Sequence, residues 1–175
     1  SNDNNSDHVK LILDKYALPV NSYRIKRRNK FSIDLAAYPG ASVGYEFSES
    51  DSPHFGITAP IGFSFSKKNN VEKKASSSSS MFISAIDIGA PFTYRLTNDT
   101  AEGLPDAISW EQIFAPGLYY IYGFNASPFA LSFGVQYAPQ LRKIETNNIL
   151  NEEDVVRIQF GITVDIPIVN LKKVN

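Results

Sequence analysis

The sequence has no cysteine, which removes disulfide frameworks, thiolate metal sites and cysteine nucleophiles together. It also lacks an uninterrupted apolar stretch of the roughly 18 residues that a spanning helix needs, and a cationic start followed by an apolar run. The opening Ser1-Asn2-Asp3-Asn4 reads as a mature or trimmed N-terminus. An excess of one charge sign is missing too: the net charge is -1, so no nucleic-acid partner is expected. Histidine occurs only as His8 and His54. No metal-ligand spacing or phosphate loop accompanies them, and neither a metal nor another cofactor is expected. None of these absences excludes a membrane, because a barrel strand needs only about 9–11 residues with every second one apolar.

What is present, over 175 residues that fit one domain, is alternation. Residues 1–30 form an N-terminal segment, with a short amphipathic helix expected over 7–16 and a basic stretch from Arg24 to Lys30. From 31 to 175 the period is two. Phe31, Ile33, Leu35 and Ala37 make one apolar face, and Pro39-Gly40 marks a turn. Val43, Tyr45 and Phe47 follow, then Phe55, Ile57, Ile61, Phe63 and Phe65. A polar loop is expected over Lys67–Ser80. The next strand is expected from Met81 to Leu96, with Phe82, Ile86, Ile88, Phe92 and Tyr94 on one face. A longer connection at 97–116 carries an expected short helix near Pro105–Phe114. Strands at Leu118–Phe124 and Phe129–Leu141 and a final one through Ile158–Ile168 complete seven clear strands. Leu18–Arg27, where Tyr23 and Ile25 alternate with basic residues, is the candidate for an eighth.

The opposite faces decide between water and lipid. A soluble sheet presents Lys, Glu, Arg and Thr to solvent. Here the second face reads Gly56, Thr58, Gly62, Ser64, then Ala130, Ser132, Gly134, Gln136, then Gln159, Gly161, Thr163. Such small, mostly neutral residues suit the crowded inside of a narrow barrel. No lysine falls in the strands placed at 31–38, 42–48, 54–66, 81–96, 117–141 and 157–171. A lysine facing lipid near the midplane costs roughly 2–4 kcal/mol, which a bilayer imposes and water does not.

In this pattern the chain resembles the small outer-membrane β-barrels of Gram-negative bacteria, the OmpA/OmpX-like group, over about Phe31–Leu171. The likeness is one of pattern and carries over no functional residues. It implies an all-β fold, an antiparallel up-and-down transmembrane β-barrel of about eight strands, in the cell envelope. The expected role is structural or interactive, with membrane lipids, lipopolysaccharide or a protein of a larger envelope complex as partners. Two other readings stand beside it. A soluble lipocalin-like barrel carrying an apolar ligand would need the apolar faces inward. A barrel-embedded lipid hydrolase or acyltransferase would draw on Ser52 and His54, yet neighbours that close on one strand do not converge on a reacting atom. No catalytic residue is assigned and no enzymatic activity is expected.

The strand charges Asp34, Glu46, Asp87, Arg95, Arg157 and Asp165 all lie opposite the apolar face. They are expected to form a barrel-interior polar network, either an ion-paired plug or a path for protons, ions or a polar ligand. Tyr94, Trp110, Tyr119, Tyr120, Tyr122 and Tyr137 are candidate interface anchors. Arg24, Lys26, Arg27, Arg28 and Lys30 are candidate contacts for anionic headgroups.

Overall fold

β-branched and aromatic residues alternating with Gly, Ser and Thr favour pleated strands with two unlike faces. The computed structural model describes residues 22–47, 52–89, 113–125, 127–146 and 149–174, and almost all of them lie in antiparallel strands. One short helix, α1 (Arg24–Arg28), precedes β1 (Phe31–Ala37), β2 (Gly40–Phe47), β3 (Ser52–Thr58), β4 (Pro60–Lys68) and β5 (Ser78–Asp87). Then come β6 (Phe114–Gly123), β7 (Phe129–Thr146), β8 (Ile149–Val164) and β9 (Ile166–Val174). They form one nine-stranded sheet in the order β3-β2-β8-β7-β6-β5-β4-β1-β9, with no ladder joining β3 to β9.

Three of these strands are continuations of the one before. Between β1 and β2 lie only Tyr38 and Pro39, and the register Phe31 opposite Lys67 persists to Glu46 opposite Ser52. The Tyr38 N–H donates to Pro60 O (3.0 Å) and the Val164 N–H to Pro39 O (2.8 Å), so the ladders run through the junction. β3 likewise passes into β4 through Ala59, and β8 into β9 through Asp165. The nine strands therefore occupy six lengths of chain: 31–47, 52–68, 78–87, 114–123, 129–146 and 149–174. Pro39-Gly40 is not the turn its composition suggests. Proline forfeits one ladder bond there, and at Gly40 a side chain would strike the Ile162 carbonyl of the adjoining strand.

Register partners trace the coil of the sheet. From Ile33 the lateral path runs through Phe65, Met81, Tyr120, Phe133 and Phe160 to Val43. It thus returns to the ribbon it left, displaced towards the ribbon's C-terminal end. A single-layer sheet buries one face only by coiling in this way. The buried face carries Ser32, Asp34, Ser42, Thr58, Ser64, Ser66, Ser132, Gln136, Gln159 and Thr163. The outer face is apolar: Phe55, Phe133 and Ile162 are 68, 56 and 57 % exposed.

Several sequence expectations are corrected. The eighth strand sought in Leu18–Arg27 is helical over Arg24–Arg27, and the described residues form nine strands on six lengths of chain. The run Ser76–Ser80 belongs only in part to a loop: β5 starts at Ser78, and Ser76, Ser78 and Ser80 are buried. Phe82 is fully buried, because a bulge between Ser84 and Ile86 changes the parity of β5 and sends Ile88 outward. Lysines do occur in strands, at Lys67 and Lys68 of β4, Lys143 of β7 and Lys172 and Lys173 of β9. All stand near strand ends, leaving the middle of each strand free of them. The helices expected over 7–16 and near Pro105–Phe114 lie outside the described residues, Ile113 and Phe114 excepted; Phe114 opens β6.

Candidate functional site: the buried polar interior

Two ion-paired groups flank a small aromatic layer. In that layer Tyr38 and Phe82 meet edge to face at 4.7 Å between ring centroids, and Phe82 lies 5.8 Å from Tyr119. Ala36, Ile121 and Ala130 complete it.

The first group lies beneath α1. Five residues make an unstable helix on their own; here tertiary bonds hold it. Its Arg27 carbonyl accepts from Ser76 N–H (3.1 Å). Its two inward cations converge on one carboxylate: Lys26 Nζ is 2.8 Å from Asp165 Oδ1, and Arg27 Nη1 is 2.9 Å from Asp165 Oδ2. Lys26 also donates to Tyr38 Oη (2.7 Å), which bonds Ser64 Oγ (3.0 Å). From Ser64 a hydroxyl chain runs through Ser66 (3.1 Å) to Ser80 (2.7 Å). Burial pushes the Lys26 ammonium towards neutrality, but Asp165 and Tyr38 outweigh it, and the net shift is well above the usual lysine value. Asp34 accepts from Ser32 Oγ (2.8 Å) and from Asn170 Nδ2 (2.6 Å).

The second group lies on the other side of the aromatic layer. Arg157 Nε donates to Glu46 Oε1 at 3.0 Å, and its Nη2 reaches the same oxygen. Gln136 bridges onward, accepting from Arg157 Nη1 (3.4 Å) and donating to Asp87 Oδ2 (3.0 Å). Asp87 collects three further donors: Thr58 Oγ1 (2.8 Å), Ala59 N–H (2.7 Å) and Gly89 N–H (2.8 Å). Gln159 Nε2 donates to Tyr119 Oη (2.7 Å).

Of the six charges expected inside, Asp34, Glu46, Asp87, Arg157 and Asp165 are buried, and Arg95 lies outside the described residues. Sequence reasoning placed Gln136 on the inner face but missed the inward Lys26, Arg27 and Tyr38. The parity of Asp34 and Ala36 already placed Tyr38 inside; for Lys26 and Arg27 nothing local did. These two were expected at lipid headgroups and are instead buried and ion-paired within the fold, because Asp165 supplies a buried counter-charge. Arg24, Arg28 and Lys30 are exposed. Among the expected interface anchors, Tyr119 is buried in the aromatic layer, while Tyr120 and Tyr137 are exposed and Tyr122 is half-buried. Parity separates them, since Leu118, Tyr120 and Tyr122 share the outer face that Tyr119 opposes. Tyr94 and Trp110 lie outside the described residues.

Among the described residues the polar atoms are nearly all paired; the unpartnered buried ones are Arg27 Nη2, Ser42 Oγ and Gln159 Oε1. No described group of His, Asp and Glu is placed to hold a metal ion. Ser52 and His54 stand two residues apart on β3, opposite Glu46 and Gly44. Comparison with protein-family profiles, curated proteins and solved structures finds no match.

Proposed function

We propose that the coiled sheet is a transmembrane β-barrel of the outer membrane, with six chain-continuous staves among the described residues, and that it has a structural or interaction role in the envelope. One observation carries this reading: faces of unlike chemistry are arranged inside out. Charges and hydroxyls are buried and nearly all paired, while the described exposed face of β1–β8, away from strand ends such as Lys67 and Ser79, carries Phe, Ile, Leu, Val, Met, Tyr, Ala and Pro. In water such a continuous apolar surface is an aggregation hazard; in hydrocarbon it is the favourable state. β5 and β6, ten residues each, are long enough: at roughly 3.3 Å per residue and a tilt near 45°, each covers about 23 Å, close to the ~25 Å apolar band of such barrels.

A carrier of apolar ligands needs the reverse arrangement, with Phe55, Phe133 and Ile162 lining the inside. Migration on gels separates the two readings. Folded in detergent micelles, the chain is expected to run faster unboiled than boiled and to precipitate without detergent. A monodisperse protein in plain buffer, with no heat-dependent shift, would sink the proposal.

A further inference from the structure

Helix α1 and the ends of β4 and β9, the two strands that flank β1, carry exposed cations. Arg24 and Arg28 project from the helix itself, and Lys30 links it to β1. Lys67 stands opposite Phe31 at the end of β4, and Lys172 and Lys173 stand opposite Ile33 and Ser32 in β9. All six are exposed, with Lys73 and Lys74 in the turn just beyond. At this end Glu72 is the exposed acid among the described residues; Asp34 and Asp165 are buried and committed to inward partners. The opposite end mixes signs, since Arg142 and Lys143 stand in register with Glu153 and Glu152. Among the described residues charge is therefore distributed unevenly between the two ends, although the net charge of the chain is -1.

We infer that the α1 end is a cationic rim that seats on a lipid surface bearing anionic headgroups. The inference rests on the barrel reading above, and the register gives it its geometry. Because Lys67 and Lys172 neighbour Phe31 and Ile33 directly, their ammonium groups lie where the apolar belt stops, at the depth of lipid phosphates. Cations with long stems favour that position, with the stem on apolar surface and the charge among headgroups. Lys26 and Arg27 take no part, being spent on Asp165.

The test follows folding of the chain into lipid vesicles, read as the heat-shifted gel band against lipid concentration. One vesicle set is phosphatidylcholine alone; the other contains about one third phosphatidylglycerol. The anionic lipid is expected to lower the lipid concentration for half-folding at least about tenfold at low salt, with most of the gain lost at about 0.5 M salt. The triple variant Lys67→Gln, Lys172→Gln, Lys173→Gln should fold in detergent as the parent does and lose most of the anionic advantage. If parent and variant respond alike to phosphatidylglycerol, the rim is not a lipid contact and the barrel reading stands. If neither vesicle set yields a folded band, the barrel reading itself fails and takes this inference with it.

Discussion

Asp165 is the residue on which the α1 end depends. It neutralises two cations that have no access to water, and removing one member of a buried ion group leaves the other charges uncompensated, at a cost of about 3–5 kcal/mol. Asp165→Asn is therefore expected to lower the urea midpoint of the detergent-folded protein far more than Asp34→Asn, whose bonds come from neutral Ser32 and Asn170. Equal losses would show that the ion group carries no special weight. The sign of the pH effect follows from Lys26. Its folded value lies above the usual 10.5, so the stability it confers is complete below that pH and declines only as pH climbs beyond it. Between about pH 6 and 9 this group should add no slope to the stability curve. Unfolding midpoints across that window check this in the parent, against a variant with Lys26→Met.

At the scale of the strand, glycines set how closely ribbons pack. A side chain on Gly134 would collide with the Leu118 carbonyl and the ring of Tyr119, which lies over that glycine. At Gly161 the obstacles are Ser132 Oγ at 2.8 Å and the Ala41 carbonyl at 3.0 Å, a milder crowding that a serine rotamer partly relieves. Gly134→Ala should cost about 1–3 kcal/mol and more than Gly161→Ala, as measured by denaturant midpoints in one detergent; the reverse order would contradict the packing described. Strands are also where the sequence was most and least legible. Parity alone separates Phe133 from Gly134 and Ile162 from Gly161, since one side must face away from the other. It fails at β5, where the bulge after Ser84 exchanges faces within one strand and Phe82 goes inside. It fails again at Pro39-Gly40 and Ser78–Ser80, whose composition signals a turn and a loop while long-range ladders keep both in the fold. Helix α1 was unreadable for a further reason. Cations are poor candidates for burial, and the carboxylate that makes it favourable for Arg27 lies 138 residues away in the sequence.

At the scale of the molecule, the two ion-paired groups and the Tyr38–Phe82–Tyr119 layer fill the buried side of the sheet among the described residues. Narrow barrels are filled by their own side chains, and here those side chains satisfy one another. The protein inserted into a planar bilayer is expected to give no stable single-channel currents. Discrete, reproducible openings in the parent would replace the view of a packed interior with that of a conduit.

The meeting of the first ribbon with the last has a kinetic consequence. Phe31 stands opposite Val174 and Glu46 opposite Arg157, so these ladders join residues separated by most of the chain. Such pairings form late, after the cost of closing a long loop has been met. Until they form, the hairpins between them present unpaired amide edges that hydrocarbon does not tolerate. If the sheet spans a membrane as proposed, entry into the bilayer and zipping of the outermost ribbons should therefore be a single concerted event, slow beside the hairpin steps that precede it.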